Sequence, residues 1–221
     1  MKVANAIIFD FDGLLVDSEW YHFHSYSEVF KRYGHTIDEK EYYKYWTSLG
    51  LGARGEIERH RLDIDPDDII DAKIPIYTRY CRDGSIRFFP EAREIVELLD
   101  AAGKRLAIAS GSSTPNIHAI LKNEKMTRYF PVVTGKNHVK KTKPDPAVFR
   151  LALEKLGREA RECVVLEDAE KGMIAARALG IPVIIIKSKQ TKEFDFTDAD
   201  LVLDSLGEMR DMLKVLFPLT T

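Results

Sequence analysis

The segment Ala6-Ile7-Ile8-Phe9 is an apolar run that leads directly into Asp10-Phe11-Asp12-Gly13. In three later places an apolar stretch also ends in polar residues: residues 106–109 before Ser110, 163–166 before Glu167-Asp168, and 182–186 before Lys187. Because each run is apolar throughout and does not alternate, it predicts a strand that is covered on both faces. Strands of this kind are typical of parallel sheets.

Helical patterns separate these predicted strands. One covers residues 90–102, and two others begin at residues 114–115 (TP) and 145–146 (DP). Proline in the first turn and glycine just past the end, as at Gly103 and Gly157, are ordinary boundary signals of helices. Strands that alternate with helices predict an α/β fold with a doubly wound parallel sheet, that is, a Rossmann-like core.

Residues 15–86 interrupt this alternation. They are rich in charged and aromatic side chains and contain no clear buried-strand run, whereas helical patterns fit residues 19–32 and 67–82. We therefore expect an inserted helical cap domain at residues 15–86. The α/β core then comprises residues 1–14 and 87–221.

The charge balance and the composition argue against several classes of protein. Lys and Arg total 33 and Asp and Glu total 35, a formal net charge of −2, so no positive excess favours nucleic acid or an anionic membrane surface. Cys81 and Cys163 fit neither a disulfide framework nor a zinc cluster. Asp10 and Asp12 come too early for a secretory segment, and no uncharged stretch approaches the about 18 residues that a membrane span needs. We expect a cytoplasmic protein without nucleic-acid or membrane partners, and we favour a monomer.

The polar residues that follow the predicted strands fall at one edge of the sheet. Ligands of open α/β sheets bind beyond the carboxyl ends of the strands. That edge carries Asp10 and Asp12, then Ser110-Gly111-Ser112, then Glu167-Asp168, while Lys143 precedes a predicted helix. Each group alone has an ordinary explanation as a helix cap, a turn or a solvated lysine. Their arrival at one edge has no such explanation and indicates a site.

This combination of side chains suits phosphoryl transfer. Carboxylate oxygens are suitable ligands for Mg²⁺, and a lysine with hydroxyl and backbone N–H groups would hold phosphoryl oxygens. One carboxylate of a close pair can attack phosphorus while the other transfers a proton.

Four segments resemble the signatures of the haloacid dehalogenase-like superfamily, in that family's order. They are residues 10–19 (DFDGLLVDSE), 108–113 (IASGSS), 143–146 (KPDP) and 166–172 (LEDAEKG). The resemblance implies that Asp10 is a nucleophile that forms an aspartyl-phosphate, and that Asp12 is the general acid and then the general base. It also implies that the phosphoryl group is bound by Ser110, Gly111, Ser112 and Lys143 while it is transferred. The implied Mg²⁺ ligands are Asp10, Asp12 through its backbone carbonyl, Glu167 and Asp168.

The helical segment resembles the cap of the subfamily that includes β-phosphoglucomutase and phosphoglycolate phosphatase. Tyr21-His22-Phe23 resembles a Tyr-His pair of the mutases, and Lys73 resembles their cap lysine. Residues 49–54 resemble the mutase substrate loop, with Arg54 at the position of an arginine that holds the second phosphate. The loop's usual lysine and serine are Gly50 and Ala53 here, which separates this chain from the mutase pattern. His22, Lys73 and Arg54 are therefore candidate substrate ligands, with helix packing or solvation as the alternative for His22 and Lys73.

We predict a Mg²⁺-dependent phosphatase that acts on a small phosphorylated metabolite, with a sugar phosphate favoured. A β-phosphoglucomutase-like phosphosugar mutase is the alternative. A non-catalytic binding module is disfavoured because Asp10, Asp12 and Lys143 are all present. A dehalogenase is disfavoured because Asp12 and Glu167-Asp168 would have no role in that chemistry. A phosphonatase would need a desolvated cap lysine, which no sequence pattern marks.

Overall fold

The computed structural model describes residues 4–191 and 194–217. In that part of the chain six strands form one sheet: β1 (Ala6–Phe9), β2 (Arg105–Ala109), β3 (Val132–Thr134), β4 (Cys163–Glu167), β5 (Val183–Ile186) and β6 (Leu201–Leu203). The order across the sheet is β3-β2-β1-β4-β5-β6, and every neighbouring pair is parallel. The predicted doubly wound α/β fold is confirmed.

Helices fill the connections between the strands. They are α1 (Glu19–Arg32), α2 (Glu39–Glu41), α3 (Gly52–His60), α4 (Pro66–Arg82), α5 (Pro90–Ala101), α6 (Thr114–Asn123), α7 (Ala147–Leu156), α8 (Glu170–Arg177) and α9 (Leu206–Leu216). A π-helical segment, Tyr42–Ser48, continues from α2. Across residues 4–191 and 194–217, no helix combines the length and the apolar character that crossing a bilayer requires.

The four central strands of the sheet, β1, β2, β4 and β5, are buried on both faces along their apolar runs, as those runs predict. Successive strand residues alternate between two hydrophobic clusters, so that Ile7 and Phe9 pack against α5, α6 and α9 on one face. Ala6 and Ile8 pack against α7 and α8 on the other face. This packing fixes the strand ends in register and therefore fixes the residues that follow them.

The helical segment between β1 and α5 has a hydrophobic cluster of its own. Phe30 of α1, Trp46 of the π-helical segment and Ile69 of α4 lie in this cluster. The two connections to the sheet run side by side, because Val16 pairs antiparallel with Phe88. These features support our prediction of a cap at residues 15–86, and that domain boundary stays a prediction.

Candidate active site

The strand order places two acidic segments beside each other. The sheet reverses its winding direction between β1 and β4, and such a switch point opens a crevice at the carboxyl ends of the strands. Phe9 is aligned with Leu166, and the Asp10 backbone N–H donates to the Leu166 carbonyl at 2.9 Å. Asp10 therefore lies next to Glu167 and Asp168, as the sequence predicts.

Lys143 joins the carboxylates of the two strands. Its Nζ lies 2.5 Å from Asp10 Oδ1 and 2.6 Å from Glu167 Oε1, and the Lys143 side chain is buried. Burial lowers the pKa of Lys143, but the charges of Asp10 and Glu167 outweigh burial and hold that pKa above its usual value. The lysine is therefore a buried cation at neutral pH.

Backbone groups hold the Glu167 carboxylate from its other side. The N–H groups of Asp168 and Ala169 donate to Glu167 Oε2 at 3.0 and 3.1 Å. Gly172 leaves room for this carboxylate, because a Cβ at that position would lie 1.7 Å from Glu167 Oε1. The glycine of the fourth signature is thus required sterically.

The acidic group is short of positive charge. Burial raises the pKa of Asp10 to about 7, with Glu167 and Asp12 raising it further and Lys143 lowering it. Burial, followed by the charges of Glu167 and Asp10, also raises the pKa of Asp168 well above its usual value. One carboxylate oxygen from each of Asp10, Glu167 and Asp168 lies within 4.8 Å of the other two. This set of hard oxygen donors fits Mg²⁺.

Asp12 accepts hydrogen bonds on both carboxylate oxygens. Ser110 Oγ donates to Oδ2 at 3.1 Å. Ser18 Oγ and Tyr77 OH donate to Oδ1 at 2.8 and 3.1 Å, and His22 Nε2 lies 3.2 Å from the same oxygen. Burial raises the pKa of Asp12, but the contacts of His22 and Ser18 outweigh burial and hold that pKa well below its usual range.

Lys73 and His22 form a pair behind Asp12. Lys73 Nζ lies 2.9 Å from His22 Nδ1 and 3.9 Å from the centre of the Tyr77 ring, which stacks on His22. Because the amine donates to Nδ1, the ring proton of neutral His22 faces Asp12 from Nε2. Burial, followed by the charge of Lys136, lowers the pKa of Lys73 to about 7. Lys73, which the resemblance singles out, is therefore a desolvated lysine, a property that its sequence pattern does not show.

A cavity of about 220 Å³ opens in front of these groups. Core residues on its wall include Asp10, Gly111, Ser112, Lys143 and Asp168, and wall residues from the helical segment include Glu19, His22, Tyr26, Trp46 and Thr47. Lys171, which sequence reasoning missed, also lines the cavity. It is part of the fourth signature, directly before Gly172, so its position in the sequence was a usable signal.

Arg54 is not among the residues that line this cavity. Its guanidinium donates to Asp67 Oδ1 at 2.6 Å, and its side chain is 62% exposed. Lys73 contacts His22 and does not line the cavity either. The structure therefore brings His22 to the cavity and places Lys73 behind it, while Arg54 lies on the surface and its contact with substrate stays a prediction.

Two further contacts of Asp12 escaped sequence reasoning. Ser18 is part of the first signature, but nothing in the pattern shows that its hydroxyl turns back to Asp12. Tyr77 lies four residues after Lys73 on α4, so the two share a helix face. That spacing was the signal for Tyr77.

Comparisons with known proteins extend over nearly the whole chain. A family model described as haloacid dehalogenase-like hydrolase matches residues 7–186. Protein CbbY of Cereibacter sphaeroides is 31% identical over 218 residues, which cover 94% of each chain. A crystal structure of a CbbY mutant from Rhodobacter sphaeroides in complex with xylulose-1,5-bisphosphate has a TM-score of 0.81 and 29% identity, and the match covers 93% of this chain and 96% of that one. A candidate β-phosphoglucomutase from Thermotoga maritima has a TM-score of 0.71 and 26% identity, covering 96% of this chain and 100% of that one.

Proposed function

The chain belongs to the haloacid dehalogenase-like hydrolase family and is a phosphoric monoester hydrolase, and we propose that it is a Mg²⁺-dependent phosphatase of a small sugar phosphate. The reaction passes through an aspartyl-phosphate on Asp10. The observation that carries this proposal is the buried contact of Lys143 with Asp10 and Glu167, in a cavity that Asp12 also lines. The sugar-phosphate class is supported by the similarity to a protein whose structure holds xylulose-1,5-bisphosphate.

Asp10 is the nucleophile of the proposed reaction. Lys143 holds its carboxylate through Oδ1, which leaves Oδ2 as the oxygen that attacks phosphorus. Ser110, Ser112 and the backbone N–H groups between β2 and α6 would hold the remaining phosphoryl oxygens, since this loop leads into a helix N-terminus. Lys143 neutralises charge that develops on the phosphoryl group.

Asp10, Glu167 and Asp168, with the Asp12 carbonyl, would hold Mg²⁺, which when bound neutralises phosphoryl charge. Among these residues, Glu167 has a second role, because both of its oxygens bond to Lys143 or to backbone N–H groups. Glu167 therefore also positions Lys143 against the nucleophile.

Asp12 transfers the proton in both half-reactions. It protonates the leaving oxygen when Asp10 attacks, and it accepts a proton from the water that hydrolyses the aspartyl-phosphate. A carboxylate that accepts several hydrogen bonds is held as the anion. Protonation of Asp12 therefore requires release of donors from Oδ1, where Ser18, His22 and Tyr77 converge.

The test of this proposal is the variant Asp10→Asn. We expect the variant to fold and to release no phosphate from an aryl phosphate or from xylulose-1,5-bisphosphate. Asp63→Asn is the matched control, because Asp63 also belongs to an Asp-x-Asp pair but is exposed. Asp63→Asn should retain full activity. Near-normal turnover by Asp10→Asn would exclude the covalent mechanism.

A phosphosugar mutase is the second candidate. The contact of buried Lys73 with His22 favours it, since the resemblance to β-phosphoglucomutase includes both residues. A single assay separates the two: β-glucose 1-phosphate with a bisphosphate primer, in which glucose 6-phosphate and inorganic phosphate are both measured. A phosphatase releases phosphate as fast as substrate disappears, whatever primer is added. Isomerisation that outpaces phosphate release would establish the mutase.

A further inference from the structure

A second group of metal-ligand side chains lies in the helical segment, apart from the acidic group at the strand ends. His35 follows α1, and Glu56 and His60 lie one turn apart on α3. His35 Nε2 is 2.8 Å from Glu56 Oε1, and His60 Nε2 is 3.5 Å from the same oxygen. The three ligand atoms lie within 4.8 Å of one another.

The second oxygen of Glu56 is held by other partners. Trp46 Nε1 and an Arg59 guanidinium nitrogen donate to Oε2 at 3.3 and 3.2 Å. The Glu56 side chain is fully buried, and these two donors fix its plane so that Oε1 faces both histidines. The ligand oxygen is therefore oriented in advance.

The charge around this group favours a cation. Arg59 also donates to Glu41 and stacks over the Tyr45 ring. One guanidinium is thus shared between Glu41 and Glu56, which leaves a net charge of −1 when the imidazoles are neutral. Glu41 Oε2 lies 3.4 Å from His60 Nε2, where a fourth ligand would be needed.

We propose that His35, Glu56 and His60 bind a divalent transition-metal ion of the Zn²⁺ class. Two imidazole nitrogens and one carboxylate oxygen suit Zn²⁺, Co²⁺ and Ni²⁺, whereas Mg²⁺ takes oxygen ligands. Ligand distances of about 2.0–2.2 Å place neighbouring ligand atoms of a tetrahedral site about 3.3–3.6 Å apart. The 3.5 Å spacing of His60 from Glu56 Oε1 falls in this range, and the 2.8 Å spacing of His35 would widen when the ion binds. In the proposed site each imidazole would ligate through Nε2, so each ring would carry its proton on Nδ1, and bonds to the ion would replace the His35–Glu56 hydrogen bond.

The ion would tie α3 to the chain between α1 and α2. It would also act on the substrate cavity, because Trp46 donates to the ligand carboxylate and lines the cavity. Metal binding would thus fix one wall of that cavity. The site and the proposed catalytic group take different ions and share no residue.

The test uses Co²⁺ and Zn²⁺ as the probes, with the full chain in a large excess of Mg²⁺. Binding of Co²⁺ is followed by the visible absorption of the four-coordinate ion and by quenching of Trp46 fluorescence. The fluorescence is measured in a Trp20→Phe background, because Trp20 is the other tryptophan of the chain. We expect one saturable equivalent of Co²⁺, which Zn²⁺ displaces.

His60→Gln and His35→Gln are the decisive variants, and His118→Gln is the matched control because His118 is exposed on α6. Removing a residue that only hydrogen-bonds to a metal ligand lowers metal affinity about 10–100-fold. Loss of a ligand itself should therefore weaken Co²⁺ binding at least about tenfold. His118→Gln should bind like the parent. His60 is partly exposed, so His60→Gln decides the question even where His35→Gln unfolds.

Two results would overturn the proposal. One is the absence of saturable Co²⁺ binding in the parent protein. The other is binding of equal affinity in the parent and in His60→Gln, which would place the ion elsewhere. Neither readout depends on turnover, so failure of this proposal is distinct from failure of the proposed phosphatase activity.

Discussion

Replacement of Lys143 by methionine tests the electrostatic structure of the site most directly. Met keeps much of the apolar stem but removes the positive charge that bonds to both Asp10 and Glu167. Both carboxylates are buried and would lose their charged partner. Removing one member of a buried ion pair costs about 3–5 kcal/mol, because the remaining charge has neither water nor partner.

The expected loss of folding stability in Lys143→Met is large enough to measure by thermal unfolding in the presence of a metal chelator. For a protein of about 150–250 residues, 1 kcal/mol shifts Tm by about 2–4 °C, so Lys143→Met should lower Tm by about 6–20 °C. Lys141→Met is the control, because Lys141 is exposed two residues away. It should change Tm little.

The loss of stability should depend on pH with a defined sign. Burial raises the pKa of Asp10 to about 7 even with Lys143 present, and loss of the lysine charge raises this pKa further. Between the unfolded and the folded pKa of Asp10, the folded variant therefore binds more protons than the unfolded chain. Stability then falls as pH rises. The difference in Tm between Lys143→Met and the parent should therefore be larger at pH 8 than at pH 5.

A double-mutant cycle completes this test. Asp10→Asn removes one of the carboxylates that Lys143 neutralises, so Lys143→Met should cost less in the Asp10→Asn background than in the parent. Equal Tm values for Lys143→Met and Lys141→Met would refute the reasoning, since the buried cation would then contribute nothing. A Tm difference that is independent of pH between 5 and 8 would refute the electrostatic cause.

Three further predictions follow from the proposed function. Asp12→Asn should slow turnover of an alkyl phosphate by about 10²–10⁴-fold. It should slow the phosphorylation of the enzyme by an aryl phosphate less, since an aryl leaving group needs little protonation. Equal losses for the two substrates in rapid-mix assays would contradict this role. Asp168→Ala should raise the Mg²⁺ concentration needed for half-maximal activity, and Ca²⁺ should inhibit the parent, because its looser coordination misplaces the reacting groups; full activity in excess chelator would exclude the metal site. Lys171→Met should raise KM for a bisphosphate more than for an aryl monophosphate. Arg54→Ala should raise KM for the bisphosphate less than Lys171→Met does. A larger rise in Arg54→Ala would show that α3 closes over the substrate.

The central strands were predictable from sequence and the edge strands were not. β1, β2, β4 and β5 are buried on both faces over at least four residues, so each contains a continuous apolar run in the sequence. β3 and β6 have three residues each and lie at the two edges of the sheet, where Val132 is half-buried and Val202 is exposed. Three residues with one solvated face leave no periodic pattern that distinguishes a strand from a loop.

The candidate site also has a part that the sequence predicts and a part that it does not: the residues at the strand ends and the residues of the helical segment. Asp10, Ser110 and Glu167 lie at or directly beyond strand ends, so the sheet alone brings them together. His22 and Lys73 are 51 residues apart in sequence, and their contact depends on how α1 packs against α4. Helix patterns locate each helix but not the angle at which two helices meet, so this pair was recognisable only by resemblance.

Asp12 contacts both the residues at the strand ends and those of the helical segment. Its Oδ2 is held by Ser110 of the core, whereas two of the donors to Oδ1, His22 and Tyr77, come from α1 and α4. A shift of these helices would change the partners of Oδ1 and leave the Ser110 contact in place. Under the proposed mechanism Asp12 must lose donors before it takes up a proton, so the position of the helical segment controls the acid. The nucleophile has no such dependence, because Lys143 and Glu167 hold Asp10 from the core alone. Under the proposed mechanism, binding of substrate against α1 in the cavity would therefore be the event that activates a nucleophile which is already assembled.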